Sequence, residues 1–237
     1  MTRIFITGSA DGLGRLTAET LFDDGHHVIV HARNENRLAA VKDLVDRGAS
    51  AVAGDLADPG ETREVAEQVN RLGLVDVVIH NAGVYTGAQI MPVNVVAPYL
   101  LTALIDGPGR LVYLSSGMHR GGRADVSRLT SGSYSDSKLF VTTLAAAVAR
   151  LRPAVVSNAV DPGWVPTRMG GPGAPDDLRL GHLTQEWLAT GDDPEALTSG
   201  GYWHHRQRQA PHPASLDHRF QDGLLAALSG LTGIALT

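Results

Sequence analysis

A glycine-rich turn and a tyrosine–lysine pair are the residues whose types and spacing could do chemistry. Thr7-Gly8-Ser9-Ala10-Asp11-Gly12-Leu13-Gly14 follows the apolar triplet Ile4-Phe5-Ile6 and precedes a helical-period segment. Glycines let a backbone approach a pyrophosphate, whose charge the free N–H groups of the next helix can hold. The spacing is Gly-x3-Gly-x-Gly, not the commoner Gly-x-Gly-x-x-Gly of dinucleotide-binding turns. Tyr134 and Lys138 are four apart in a helical segment, and so share a face one turn apart. A free tyrosine, with a pKa of about 10, is a poor base at neutral pH. A lysine cation beside it favours the phenolate.

These groups must be positioned by short apolar runs that alternate with helical-period segments. Ile4–Ile6, Val28–Val30, Ala51–Ala53, Val75–Ile79, Leu111–Leu114 and Val155–Val160 read as strands. Leu16–Asp24, Glu35–Arg47, Pro59–Leu72, Asn94–Ile105 and Tyr134–Leu151 read as helices between them. This alternation means βαβ units and a parallel sheet. With right-handed crossovers it gives an α/β fold of the Rossmann type, doubly wound, in three layers. The expectation is one domain over residues 1–237. Beyond Gly163 the alternation decays: 166–181 is rich in Pro, Gly and Asp, and 166–190 reads as a substrate loop or lid. Leu183, Trp187 and Leu188 read as a core-facing stripe. Residues 202–237 read as a C-terminal strand from Tyr202-Trp203 and a helix over Phe220–Leu231.

Composition narrows the classes. There is no cysteine, which excludes disulfide scaffolds, thiol nucleophiles and thiolate metal sites. A net charge of −5 argues against nucleic acid as a partner. No apolar run is long enough for a membrane span and no signal-peptide pattern precedes the first strand, so a cytoplasmic protein is expected. The 27 glycines in 237 residues exceed the usual ~7%, and their addresses carry information. His204-His205, His212 and His218 lack metal-ligand spacing and read as solvated surface, and no metal is expected.

The chain resembles the short-chain dehydrogenases/reductases in five segments, taken in order. Thr7–Gly14 matches the family's Thr-Gly-x3-Gly-x-Gly turn, and Asp55-Leu56 its adenine-contacting pair. Asn81-Ala82-Gly83 matches Asn-Asn-Ala-Gly with His80 in place of the first Asn. Tyr134-Ser-Asp-Ser-Lys138 matches Tyr-x3-Lys, and Pro162-Gly163 with Thr167 matches the segment beside the nicotinamide. The Ser-Ser-Gly-Met-His phrasing resembles the retinol-dehydrogenase-like branch and bacterial ketoreductases, which hints at a bulky apolar substrate.

The resemblance implies a catalytic group of Asn94, Ser116, Tyr134 and Lys138. Tyr134 would be the acid/base and Lys138 would lower its pKa and hold the nicotinamide ribose. Ser116 would bond the substrate oxygen, and Asn94 would hold a water linking Lys138 to solvent. Cofactor contacts are expected from Gly8, Ser9, Asp11, Gly12, Leu13, Gly14, Arg33, Asn34, Asp55, Leu56, Asn81, Ala82, Gly83, Tyr134, Lys138, Pro162, Gly163, Val165 and Thr167. Ala32 stands where NAD-preferring relatives place Asp, and Arg33, with Arg37 or Arg15, could hold a 2′-phosphate. NADP(H) is therefore expected over NAD(H), with NAD(H) as a second choice. Trp164, Val165 and Met169 could wall the substrate site, and the stretch Met118–Asp125 is expected to lie over it. The resulting expectation is an NADPH-dependent oxidoreductase reducing a small-molecule ketone or aldehyde, or the reverse. Alternatives are a non-catalytic dinucleotide sensor or scaffold, and an epimerase or dehydratase on the same fold. The resemblance implies a homodimer or homotetramer through the fourth and fifth helices, and Ala145–Ala149 is small and apolar enough for close helix packing.

Overall fold

The computed structural model describes residues 1–236. Six strands of near-continuous apolar sequence form its centre, as buried parallel strands require: β1 (Arg3–Ile6), β2 (His27–Ala32), β3 (Ser50–Ala53), β4 (Val77–His80), β5 (Arg110–Leu114) and β6 (Val156–Asp161). Two further strands, β7 (Tyr202–His204) and β8 (Gln207–Gln209), extend the sheet to the order β3-β2-β1-β4-β5-β6-β7-β8. All neighbours run parallel except β7 and β8, which form an antiparallel hairpin. Its two-residue turn puts His205 and Arg206 at positive φ. The sequence reading found only the first of these two strands.

The helices are α1 (Gly12–Asp23), α2 (Glu35–Leu38), α3 (Lys42–Asp46), α4 (Pro59–Arg71), α5 (Ala97–Leu104), α6 (Tyr134–Leu151), α7 (Leu178–Thr190) and α8 (His218–Thr232). Short acceptors start them: Asp11, Asn34, Asp58, Asp177 and Asp217 accept first-turn N–H bonds, and Ser133 and Asp136 form a capping box on α6. One sheet face buries Phe5, Ile29, Val78, Leu111 and Tyr113 against Val65, Leu100, Phe140 and Leu228, from α4, α5, α6 and α8. The other buries Ile4, Ile6, Val28, Val30 and Ile79 against Leu21, Leu44 and Leu188, from α1, α3 and α7. The result is the expected single three-layer α/β domain.

The structure departs from the sequence reading in three places. The helix expected over Glu35–Arg47 is broken into α2, a 3-10 turn and α3. Arg15, on α1, donates to the Ala40 carbonyl at 2.7 Å and pairs with Asp43, so a carbonyl needed inside one continuous helix is drawn outward. The segment read as loop or lid is a loop only to Asp177; α7 follows, with Trp187 and Leu188 in the core as expected. The helix expected to open at Asn94 begins instead with a π turn over Pro92–Val96, in which Ala97 N–H reaches the Pro92 carbonyl. The small residues Ala145 and Ala147 are buried within the chain, and α8 lies against α6.

Candidate active site

The strand order turns back between β1 and β4, the crevice where open α/β sheets bind ligands. A cavity of about 700 Å³ opens there. Its walls include Gly8, Asp11, Gly12, Leu13, Arg33, Asp55, Leu56, Asn81, Ala82, Gly83, Tyr134, Lys138, Pro162 and Thr167, which brings most of the expected cofactor residues together. Ser9, Gly14, Asn34, Gly163 and Val165 are absent from that wall and do structural work beside it. Ser9 is buried, donating to the Ile6 carbonyl at 2.9 Å and accepting from His31 N–H at 2.8 Å. Asn34 caps α2, and Val165 is buried, next to Gly181 of α7. Gly163 holds φ +80°, and a Cβ there would lie 2.5 Å from Asp176 Oδ2.

The turn after β1 is fixed from both sides. Gly8 takes φ +64°, and its N–H donates to His31 Nδ1 at 3.0 Å. His31 Nε2 in turn donates to the Gly54 carbonyl at 3.0 Å. Burial pushes the ring's pKa down to about 4, so this neutral tautomer persists. On the other side, Asn81 Nδ2 donates to the Thr7 and Gly8 carbonyls at 2.9 and 3.3 Å. A Cβ on Gly14 would lie 2.2 Å from that nitrogen, so the third glycine makes room for the Asn81 clamp rather than for a ligand. His31 carries no motif in the sequence and is not among the expected site residues; its place at the end of β2, beside Ala32 and Arg33, is the one signal that could have found it.

Cations gather at the cavity mouth. Arg33 has no carboxylate partner among the described residues, whereas Arg15 is engaged by Glu19 and Asp43. Arg37 and Arg168 both approach Asp11, at 3.7 and 3.3 Å. Arg15 is thus unsuited to the phosphate role suggested for it, and Arg168 is a mouth cation the sequence reading did not single out.

At the inner end, the residues expected to form the catalytic group come from three elements. Ser115 and Ser116 follow β5. The Ser115 hydroxyl is buried against Thr142 Oγ1 at 2.6 Å, whereas the Ser116 hydroxyl accepts Met118 N–H at 3.2 Å and acts on the Tyr134 hydroxyl, opposing the rise of its pKa. Lys138 Nζ lies 5.4 Å from the Tyr134 ring centroid and donates to the Leu114 carbonyl at 2.7 Å. Asn94 holds Val84 N–H and its carbonyl at 2.8 and 3.0 Å, and donates to Ser137 Oγ at 2.9 Å, tying the loop after β4 to α6. Asn94 Oδ1 and Lys138 Nζ would each lie 3.5 Å from a Cβ on Gly83. Tyr85 packs on Tyr134, with ring centroids 4.8 Å apart.

The protonation states differ from expectation. Burial pushes Tyr134 up to about 12, partly offset by the Ser116 hydrogen bond, while the charge of Asp161 adds to the rise. Burial pushes Lys138 down to about 8, and Asp161 opposes that fall. The protein's own groups therefore hold Tyr134 as the phenol rather than lowering its pKa through Lys138.

The wall behind Ser116 comes largely from the tail. His119 is fully buried; its Nε2 accepts His212 N–H at 2.9 Å, so its Nδ1 carries the proton and donates to the Ser116 carbonyl at 2.8 Å. Of the tail histidines, His218 is exposed as expected, whereas His204, His205 and His212 are half-buried: His204 Nδ1 donates to the Asp161 carbonyl at 3.2 Å, and its ring stacks on His205 at 3.8 Å. The stretch Met118–Asp125 does not lie over the cavity, because Arg123 pins it to Asp136 at 3.0 Å and Arg120 to the Ala210 carbonyl at 3.1 Å. Of the expected substrate wall, Met169 lines the cavity and Trp164 stands exposed beside it. The loop carrying them is closed at its base by Trp164 N–H donating to Asp176 Oδ2 at 2.6 Å.

Among the described residues no group of three or more His, Asp and Glu could hold a metal, and no helix is long and apolar enough to cross a membrane.

Residues 2–177 match the family model described as short chain dehydrogenase. The short-chain dehydrogenase chyC of Penicillium rubens is 36% identical, covering 100% of this chain and 99% of its own. A Streptomyces protein provisionally named the daunorubicin C-13 ketoreductase DnrU is 30% identical over 86% of this chain and 83% of its own. Among solved structures, a blue fluorescent protein from a metagenomic library, in complex with NADPH, superposes with a TM-score of 0.71. It is 25% identical and covers 86% of this chain and 95% of its own.

Proposed function

This chain belongs to the short-chain dehydrogenase family of oxidoreductases, and from that premise we propose that it reduces a ketone or aldehyde with NADPH. The observation that carries the reading is that Tyr134 and Lys138 stand together at the inner end of a cavity whose outer end is a glycine turn, with Ser116 beside Tyr134. A dinucleotide fits that cavity: Gly8 and Gly12 present bare backbone at positive φ, and α1 points its N-terminus at the same place. Arg33 at the mouth favours a 2′-phosphate, and Ala32 offers no carboxylate to repel one. The nicotinamide, when bound, supplies the hydride.

The chain's own residues supply the proton and the geometry. Tyr134, held as the phenol, donates its proton to the carbonyl oxygen as that oxygen becomes negative. The Ser116 hydroxyl bonds the same oxygen and orients it. Lys138 presents its Nζ beneath the Tyr134 ring and towards the loop at Gly83, placed to hold the nicotinamide ribose. Asn94 fixes that loop against α6. Tyr85 and Met169, both on the cavity wall, leave 48% and 50% of their surfaces exposed, and these side chains support a bulky apolar substrate. The ketoreductase name of the Streptomyces relative points the same way.

The test is an NADPH-consumption screen over aldehydes, polycyclic ketones and quinones, with Tyr134→Phe as control. Turnover in the wild type should fall by about 10²–10⁴-fold in the variant. Equal turnover in both proteins overturns the mechanism.

A further inference from the structure

We propose that His31 is a positioning residue for coenzyme binding: one imidazole joins the glycine turn to the segment that carries Asp55 and Leu56, and so sets the spacing of the two walls that hold the adenosine half. The proposal rests on the reading of the cavity as a dinucleotide site. It adds a residue that lies outside the five segments matched in the sequence. His31 is 3% exposed, near the end of β2, and stands on the cavity wall together with Gly8, Asp55 and Leu56.

The backbone brings it there. β2 lies between β1 and β3 in the sheet, and pairs His31 with Val52. Its end therefore passes the turn that leaves β1 on one side and the segment that leaves β3 on the other. On the first side Ser9 N–H donates to the His31 carbonyl at 3.1 Å, and His31 N–H donates to Ser9 Oγ at 2.8 Å. On the second, Gly54 N–H donates to the Ala32 carbonyl at 3.1 Å.

The ring then bridges the two sides. A neutral imidazole has one acceptor nitrogen and one donor, and each has a backbone partner here. Nδ1 accepts Gly8 N–H and Nε2 donates to the Gly54 carbonyl, both at 3.0 Å. Both partners are glycines pressed against other elements. A Cβ on Gly8 would lie 3.0 Å from Ala82 Cα, and one on Gly54 would lie 2.6 Å from Val65 Cγ2. Phe5 meets the imidazole edge-on, with centroids 6.3 Å apart at 90°. A buried N–H or carbonyl left without its partner is costly, so loss of the ring shifts the two segments rather than leaving them in place. A ligand that must touch both walls binds best where their spacing is already set, because ordering them otherwise consumes binding energy. The effect therefore falls on coenzyme affinity.

The experiment titrates NADPH and NADH by calorimetry, without carbonyl substrate, into wild type, His31→Phe, His31→Asn and His31→Gln. Phenylalanine keeps a ring and removes both bonds. Asparagine presents an acceptor oxygen near the place of Nδ1, and glutamine a donor nitrogen near the place of Nε2, so each restores one side. Circular dichroism and thermal unfolding without coenzyme identify the folded variants. Kd for the tighter coenzyme should rise about 10-fold or more in His31→Phe, and about 2- to 10-fold in His31→Asn and His31→Gln, the worth of one hydrogen bond. Where a carbonyl is turned over, the loss should appear in KM for the coenzyme and not in kcat. A wild-type Kd in folded His31→Phe overturns the proposal. So does a Kd in both polar variants as weak as that of His31→Phe, which would assign the effect to packing. If His31→Phe does not fold, a wild-type Kd in His31→Asn and His31→Gln overturns it. A wild-type protein that binds neither coenzyme removes the dinucleotide reading and this proposal together, whereas binding without carbonyl turnover counts against the proposed reduction alone.

Discussion

Gly14→Ala should destabilise the protein, although the same change inside a helix ordinarily stabilises by about 0.8–1.0 kcal/mol. Gly14 lies in the first turn of α1, and its added Cβ would lie 2.2 Å from Asn81 Nδ2 and 2.6 Å from the Gly8 carbonyl oxygen. The second contact is with backbone in a turn that holds φ +64°, and cannot be relieved by a rotamer change. The first could be relieved only if the Asn81 amide turned away from the Thr7 and Gly8 carbonyls. Two hydrogen bonds at about 1 kcal/mol each would then be lost. With overpacking of about 1–3 kcal/mol and the helix gain set against it, about 2–4 kcal/mol of net destabilisation remains. For a domain of this length that lowers Tm by roughly 5–15 °C. Thermal unfolding followed by circular dichroism, without coenzyme, measures it. Asn81→Ala, which removes the amide and leaves the glycine, should lose only the hydrogen-bond share. A Gly14→Ala protein that unfolds at or above the wild-type temperature would refute the reasoning.

Arg33→Ala should lower the NADPH-to-NADH ratio of kcat/KM by roughly 10- to 100-fold, the worth of lost charge-assisted hydrogen bonds; an unchanged ratio removes Arg33 from phosphate recognition. Asp136 is buried, and burial opposes its ionisation. The bonds from Arg123 and from Ser133 N–H outweigh that and hold its carboxyl well below the usual range. A depressed native pKa contributes stability above the unfolded value of about 3.9, and that contribution is lost as pH falls towards the native one. Asp136→Asn should therefore be less stable than wild type by about 1–3 kcal/mol at neutral pH. In urea unfolding the gap should persist down to pH of about 4 and close only below it. A gap already closed at pH of about 6 contradicts this assignment.

What the sequence made legible were the features written locally. The parallel strands announce themselves as apolar runs because both faces are buried, and the glycine turn and Tyr134–Lys138 carry their spacing in a few residues. Ser116 could be favoured over Ser115 by position alone; the structure adds the cause, since Thr142 holds the Ser115 hydroxyl. The misreadings share one origin, a partner distant in sequence. The helix over 35–47 breaks because Arg15 reaches the Ala40 carbonyl from 25 residues away. His119 and His212, 93 residues apart, form one support behind Ser116, yet His212 alone looks like a surface histidine and nothing local to His119 names its partner. The stretch after Ser116 folds onto α6 because Asp136 draws Arg123, a pairing no local pattern records. Tyr134's protonation depends on burial and on Asp161, neither of which its helix spacing from Lys138 reports.

The clamp from Asn81 to the Thr7 and Gly8 carbonyls spans 74 and 73 residues of chain. Closing so long a loop opposes early formation of the turn, because its entropy is lost before non-local contacts return stability. A chain in which β1 and β4 have not yet paired offers a coenzyme no finished turn to bind. Coenzyme concentration should then leave the rate of folding untouched and act, by mass action, on the rate of unfolding alone. For this molecule the supply of coenzyme governs how long a folded copy lasts, and has no say in how quickly one is made.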